Sequence, residues 1–387
     1  MAPSVLINER ALGPGRALGH ITLNAEATLN SLSLEMIDLI QAALDRWRSQ
    51  EDIIAIFFDA AGSKAFSAGG DIQNLYHDMH ATPGGPCHYC EAFFEREYRL
   101  DFDLHQYPKP TLAWGHGIVM GGGLGIFSAC QFRIATEKTR MAMPEITIGL
   151  FPDAGATYTF SRMDPAWAYF LALTGAQISG ADAQHIGMAD TLIQHGLKED
   201  CLNALAALDT SQPLSPQISE ILTRLQADST DLPEPQLPDH EAIIRPSIEA
   251  CLSSDNPIKT LVASVHNWPD GPFLDRAKSG FLKGSAITAA IIIEQFKRAQ
   301  SQDLLAMFQM ELTIAVACSR QGEFTEGVRA LLIEKDGQPQ WRFKLGEVPM
   351  AVVASHFEDH WPIHPMMDLS VLNLSSFCAS RANKEVL

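Results

Sequence analysis

Two glycine-rich stretches constrain this chain more than any other feature. Lys64-Ala65-Phe66-Ser67-Ala68-Gly69-Gly70-Asp71-Ile72 and His116-Gly117-Ile118-Val119-Met120-Gly121-Gly122-Gly123-Leu124-Gly125 each follow an apolar run of strand type and precede a stretch of helical type. Glycine has no Cβ, so the backbone there can take positive φ and a ligand can come close to it. The N–H groups at a helix start have no partner within the helix, which makes such a junction attractive to negative charge. Two junctions converging on one point would aim two N–H donors at a developing oxyanion, each worth ~3 kcal/mol in a transition state. A lone glycine cluster is more often a tight strand-to-helix turn. Neither stretch has the G-x-G-x-x-G spacing of a dinucleotide site, and the chain has no Walker A loop.

Around these loops the first half repeats one order: strand, glycine loop, helix. Residues 5–8 and 20–23 are β-type runs split by Gly13-Pro14-Gly15. Ser33 is a candidate N-cap for a helix reaching Trp47, with Met36, Ile37, Ile40, Leu44 and Trp47 at helical spacing. Residues 53–58 are uniformly apolar and predict a buried strand. A helix over 94–105, closed by Pro108 and Pro110, and strands over 111–114 and 132–135 complete an α/β pattern. Beyond Gly155 the chain turns helical, over 166–173, 181–187, 286–296 and 304–317. Residues 211–246, rich in Pro, Ser and Asp, read as a surface excursion. They divide a core of residues 1–210, holding both glycine loops, from a mainly helical region of residues 211–387. No solenoid-type repeat is present.

Charge narrows the function. Against 28 Lys and Arg stand 46 Asp and Glu, a formal net charge of -18. That excludes a general nucleic-acid binder, which needs a basic surface. It leaves room for a small phosphate-bearing ligand, since salt screens distant charge. No apolar run is long enough to span a bilayer, so no membrane partner is expected. Residues 1–8 lack both the basic start and apolar run of a signal peptide and the Arg- and Ser-rich look of a transit peptide. Seven Cys at irregular spacing form no disulfide framework. The expected compartment is a reducing one, the cytoplasm; a mature mitochondrial protein looks the same. His77, His80, Cys87, His88 and Cys90 lie close together, and Cys87-His88-Tyr89-Cys90 is a C-x-x-C pair of zinc-binding type. They flank a Gly-Pro loop, where scattered Cys and His are commoner than a metal site, so no metal is expected. Other histidines, such as His105 and His185, read as surface or satisfied core groups.

The paired loops, in this order and separation, resemble the crotonase (enoyl-CoA hydratase/isomerase) superfamily, whose members hold acyl-CoA thioesters with two backbone N–H groups on the carbonyl. The resemblance implies an α/β (α+β) fold, a spiral of repeated ββα units with a helical C-terminal region. It implies Gly70 and Gly122 as the oxyanion-hole donors. Enoyl-CoA hydratases carry a glutamate two positions after the triple glycine, where this chain has Gly125; their second glutamate, in a Pro-Glu pair, is matched by Pro144-Glu145. Met143-Pro144-Glu145 through Ile148-Gly149-Leu150-Phe151-Pro152-Asp153 is similar to the 3-hydroxyisobutyryl-CoA hydrolase-like branch. So are Arg96-Glu97-Tyr98, residues 131–138, Glu326-Gly327-Val328-Arg329-Ala330, Glu334-Lys335-Asp336 and Trp341. Two departures stand out: Ser67 replaces a common Cys, and Asn24-Ala25-Glu26-Ala27 lacks the basic residue and proline that help hold coenzyme A.

The resemblance implies hydrolysis of 3-hydroxyisobutyryl-CoA or a similar short 3-hydroxyacyl-CoA, of the valine-catabolism type. Glu145 would be nucleophile or general base, Asp153 would bind the substrate hydroxyl or position water, and Glu97 would contact the substrate. The expected partner is the acyl-CoA alone, with no separate cofactor, and a homo-oligomer fits the fold. Each carboxylate has a plainer reading: Glu145 as a helix-start or surface residue, Asp153 as an N-cap, Glu97 as part of a solvated face. A hydratase or isomerase, or a non-catalytic acyl-CoA-binding subunit, are the competing functions.

Overall fold

In the computed structural model, which describes residues 3–371, consecutive strands are divided between two sheets. In chain order the strands are β1 (Val5–Gly13), β2 (Arg16–Leu23), β3 (Ile53–Ala60), β4 (Ala65–Ser67), β5 (Thr111–Gly115), β6 (Ile118–Met120), β7 (Phe132–Ala135), β8 (Arg140–Ala142), β9 (Ile178–Ser179) and β10 (Thr191–Leu192). One sheet has the order β1-β2-β3-β5-β7-β10, the other β4-β6-β8-β9. From β2 to β10 the first sheet is parallel, as is β4-β6-β8 in the second, while β1 and β9 pair antiparallel at their edges. Each of the pairs β3/β4, β5/β6 and β7/β8 therefore gives one strand to each sheet before the chain turns helical. This is the repeated ββα spiral that the resemblance implies.

The uniform apolarity of 53–58 has a direct cause. Every residue of β3 is buried, because both faces of the large sheet are covered. Ile53, Ile56 and Phe58 face the main core, and Ile54 and Phe57 face a second cluster with Leu112, Trp114, Phe132 and Ile134. Helix α1 (Leu34–Arg48) starts where Ser33 accepts the Met36 N–H, and it buries Met36, Ile37, Ile40, Leu44 and Trp47.

Helices α2 (Ile72–Ala81), α3 (His88–His105) and α4 (Gly122–Ala129) complete the first half. α3 begins six residues earlier than the apolar spacing predicts. Its first N–H groups find side-chain acceptors: Asp78 takes those of Tyr89 and Cys90 at 2.9 and 3.1 Å, and Glu91 takes that of Cys87 at 3.3 Å. The two Cys of this region are absorbed by packing, while His77, His80 and His88 are exposed. Cys87 and Cys90 are buried, their thiols directed at the carbonyls of Ser319 and Leu75, and His77 and His80 lie against the ring of Tyr76.

The later helices are α5 (Ala156–Phe160), α6 (Pro165–Thr174), α7 (Gly180–His185), α8 (Lys198–Ala204), α9 (Leu214–Asp228) and α10 (Glu241–Leu252). They continue as α11 (Pro257–Val265), α12 (Pro272–Leu282), α13 (Ala286–Ala299), α14 (Leu304–Gln321), α15 (Glu323–Val328) and α16 (Met350–Ser355). The expected surface excursion over 211–246 is largely helical instead, formed by α9 and the start of α10. Ile218, Ile221, Leu222 and Leu225 lie at helical spacing and cover the second cluster on the large sheet. Helices α10 to α15 pack into the main core with the first-half strands and helices. No helix of the described residues is long and apolar enough to cross a membrane.

Candidate active site

The two glycine loops meet. A Cβ on Gly121 would stand 3.3 Å from the Cα of Gly69, and one on Gly123 would stand 2.5 Å from the Cβ of Ser67. Gly121 has φ 50° and ψ -133°, a conformation that excludes a side chain on steric grounds. The N–H of Gly122 opens α4 and has no acceptor within the helix. The bridge between Leu32 and Gly70 uses the Gly69 carbonyl and the Asp71 N–H, which leaves the Gly70 N–H out of the ladder. Both junctions line one cavity of about 210 Å³, together with Glu97, Glu145 and Asp153.

The three carboxylates reach the cavity from separate elements. Glu145 opens a 3-10 turn, Glu145–Ile148, directly after Pro144; it is 5% exposed, and its Oε1 is 3.3 Å from where a Gly121 Cβ would stand. Asp153 follows on the same connection, 4% exposed, and accepts a 2.6 Å hydrogen bond from the Tyr98 hydroxyl. It caps no helix: α5 starts at Ala156 with Gly155 in the capping position. Glu97, on α3, is 3% exposed, not solvated. Its Oε1 lies 1.9 Å from where a Cβ on Gly122 would be, so only glycine there leaves it room.

Two further carboxyls lie behind these. Asp101, one turn along α3 from Glu97, is fully buried, and neither of its oxygens has a hydrogen-bond partner among the described residues. Glu311 on α14 is also fully buried and accepts the N–H groups of Gly155 and Thr157, each at 2.8 Å. None of the five has a cationic partner among the described residues, and burial is the first cause of the shift in each. Burial, then the charges of Asp153, Glu145 and Glu311, holds the Glu97 carboxyl well above the usual range. Burial and the Asp153 charge do the same to Glu145. Burial raises Asp153 to about 6 although the Tyr98 hydrogen bond favours its ionised form.

Gly125 stands where the resemblance leads one to look for a hydratase carboxylate, and the space around it is filled. A Cβ there would lie 2.8 Å from the Ala154 Cβ and 2.8 Å from Asp101 Oδ2. The 3-10 turn of Glu145 is held from the C-terminal region: the Ser285 N–H donates to the Ile146 carbonyl at 2.9 Å, and a Cβ on Gly327 would strike the Ile148 carbonyl carbon at 2.3 Å. The conspicuous motif around Glu326 thus packs on the element carrying Glu145. The residues that sequence reasoning missed are Tyr98, Asp101, Gln295 and Glu311. The available signal was a lone glutamate in the apolar stretch of α14. At Asn24-Ala25-Glu26-Ala27, Glu26 lies against Gly62. No set of His, Cys, Asp and Glu among the described residues is arranged to hold a metal ion.

Comparison with known proteins extends along nearly the whole chain. The family described as Enoyl-CoA hydratase/isomerase matches residues 18–357. The mitochondrial 3-hydroxyisobutyryl-CoA hydrolase of Danio rerio is 35% identical over 327 residues, 84% of this chain and 82% of that protein. The mitochondrial 3-hydroxyisobutyryl-CoA hydrolase of Homo sapiens is 34% identical over 344 residues, 88% of this chain and 86% of that one. Among solved structures, a carnitinyl-CoA dehydratase from Mycobacterium thermoresistibile superposes with a TM-score of 0.80 at 29% identity, covering 94% of this chain and 99% of its own. An enoyl-CoA hydratase from Rhodobacter sphaeroides 2.4.1 gives 0.79 at 29% identity, covering 92% and 98%. With two sheets wound as ββα units, paired glycine junctions over one cavity and matches of this extent, the chain belongs to the enoyl-CoA hydratase/isomerase family.

Proposed function

We propose that this protein is a thioesterase that hydrolyses 3-hydroxyisobutyryl-CoA, or a similarly short 3-hydroxyacyl-CoA, to the free acid and coenzyme A, a reaction of the valine-degradation type. The names of the similar proteins divide between hydrolases and hydratases. One observation carries the choice: Glu145 and Asp153 share the cavity with the Gly70 and Gly122 junctions, while the place of a second hydratase carboxylate at Gly125 is occupied by Ala154 and Asp101. Addition of water to a double bond by the hydratase pair of glutamates lacks its member at Gly125; the other glutamate of the cavity, Glu97, comes from α3.

In this reading the thioester oxygen accepts the N–H groups of Gly70 and Gly122, which stabilise the charge it gains as the carbonyl carbon becomes tetrahedral. Glu145 supplies the attack, either by forming an anhydride or by taking a proton from water. Collapse of the tetrahedral species expels the coenzyme A thiolate, which takes up a proton; on the anhydride route water then opens the anhydride, releasing the free acid and restoring Glu145. Asp153, kept partly ionised by Tyr98, accepts a hydrogen bond from the substrate 3-hydroxyl or orients water. Glu97, held in its acid form, has a proton to donate to the same hydroxyl. No cofactor enters beyond the coenzyme A of the substrate. The proposed compartment is reducing, cytoplasm or mitochondrial matrix, which the buried thiols of Cys87, Cys90, Cys201, Cys251 and Cys318 support, and the proposed assembly is a homo-oligomer.

The test is thiol release from 3-hydroxyisobutyryl-CoA by the wild-type protein and by Glu145→Gln. Loss of a positioned base or nucleophile lowers kcat by roughly 100- to 10,000-fold. A folded Glu145→Gln protein with near-wild-type turnover overturns the assignment. Double-bond movement on an enoyl-CoA without thiol release supports an isomerase instead. A panel of short acyl-CoA thioesters sets the acyl preference, since one methyl separates candidates by only ~1–3 kcal/mol.

A further inference from the structure

The segment that carries Asp153 is one the backbone resists. Ala154 has φ 52° and Gly155 φ 80°, and a residue with a Cβ seldom occupies the left-handed region. Two buried side chains from the C-terminal helices hold this turn in place. Glu311, from α14, accepts the Gly155 N–H through Oε2 and the Thr157 N–H through Oε1, both at 2.8 Å. Gln295, from α13 and fully buried, donates through Nε2 to the Pro152 carbonyl at 2.9 Å and to the Thr157 hydroxyl at 2.7 Å. These four bonds bracket Asp153, one before it and three after it. Neither side chain lines the cavity. A carboxyl buried without a cation is costly, and every hydrogen bond that Glu311 accepts goes to this turn.

We propose that Glu311 and Gln295 are positioning residues of the reaction: acting through the 152–157 turn, they set where the Asp153 carboxylate stands relative to Glu145 and Tyr98. Glu311 also acts through its charge. The titratable groups facing it are Asp153 on the turn and Glu97, Tyr98 and Asp101 on α3, with His105 beside Gly155. A negative Glu311 makes ionisation of Glu97 and Asp101 harder, while the Asp153 charge in turn helps to raise Glu311 to about 7. The final shape of the site is thus decided by helices far along the chain from both glycine junctions. This inference rests on the hydrolase reading.

The experiment uses the full-length wild type, Glu311→Gln and Gln295→Met. It measures thiol release from 3-hydroxyisobutyryl-CoA from pH 5 to 9, with thermal unfolding as a check on folding. Both variants are expected to lose tenfold or more in kcat with KM changed less than threefold, because the oxyanion loops that bind the thioester are untouched. Glu311→Gln is also expected to move the alkaline limb of kcat/KM to lower pH, since loss of the Glu311 charge lets Glu97 give up its proton more readily. Gln295→Met, which changes no charge, leaves that limb in place. Folded variants with wild-type kcat overturn the proposal, as does an unmoved alkaline limb in folded Glu311→Gln. If Glu311→Gln does not fold, wild-type kcat in Gln295→Met overturns it alone. Absence of thiol release by the wild type overturns the hydrolase reading and this inference with it, an outcome distinct from active wild type with unaffected variants.

Discussion

Glu145 is set apart from the other acidic residues of this chain by its surroundings. It is buried beside a second carboxyl with no cation at hand, so the pair titrates as a unit and resists losing both protons. In the proposed reaction the ionised pair is the form that attacks or accepts a proton, so activity is expected to rise with pH. The acid limb of kcat/KM is expected at or above about 6, the value to which Asp153 is raised, and not in the range of exposed carboxylates near ~4.3. A pH profile with its limb near 4 would contradict the burial argument. Gly125 makes a second prediction at this scale. Gly125→Ala forces contacts under 3 Å with Ala154 and Asp101, and overpacking of this kind costs about 1–3 kcal/mol. The denaturation midpoint should fall accordingly, with no hydratase activity gained.

Among the elements, α3 and the segment after α15 show how a single stretch serves the site. α3 presents Glu97, Tyr98 and Asp101 from successive positions and turns, a grouping that follows from 3.6 residues per turn. Residues Arg329–Ile333 form a π-helical turn, and Leu331 and Leu332 line the cavity. Arg329 fastens this turn by pairing with Glu326, Glu334 and Asp336. Such half-exposed pairs stabilise a fold only slightly, so Arg329→Ala is expected to leave the thermal midpoint nearly unchanged. KM for the acyl-CoA should rise several-fold with kcat within twofold, as steady-state kinetics would show; an equal loss in kcat would place the turn in the chemistry. Sequence reading did well where periodicity is strong, as in α1, α13 and α14. It failed over 211–246 because Pro, Ser and Asp outnumber the few apolar residues, although Ile218, Ile221, Leu222 and Leu225 already carried the helical spacing of α9.

For the whole molecule, the formal net charge of -18 counts every Asp and Glu, and five of them, Glu97, Asp101, Glu145, Asp153 and Glu311, form an acidic group in the interior. Each has a carboxyl raised by burial, so the folded state binds protons that the unfolded chain has already released. Stability from such groups is present at low pH and is lost as pH rises through the folded values. The buried histidines act oppositely: His116 is lowered and His195 is lowered to about 4, mainly by burial, and their effect is complete above ~6.5. Between pH 6.5 and 8.5 the carboxyls dominate: Glu311 is raised to about 7, and Glu97, Asp101 and Glu145 are raised further from their usual values. The thermal midpoint should therefore fall across that interval, and fall less in Glu311→Gln; a flat or rising midpoint would mean that these groups do not carry the protons assigned to them.

The sequence by itself determined the strand, glycine-loop and helix order, and it carried the resemblance that made Gly70, Gly122, Glu145, Asp153 and Glu97 candidates. These are legible because glycine requirements, helical spacing and short motifs act over neighbouring residues. Tertiary structure alone decided that the three carboxylates face one cavity, that Asp101 and Ala154 close the space at Gly125, and that Asp153 is held by Glu311, 156 positions beyond Gly155. It also decided which carboxyls keep their protons. Burial and repulsion between like charges depend on distance through space, and that distance is settled only when the C-terminal helices have packed against the two sheets.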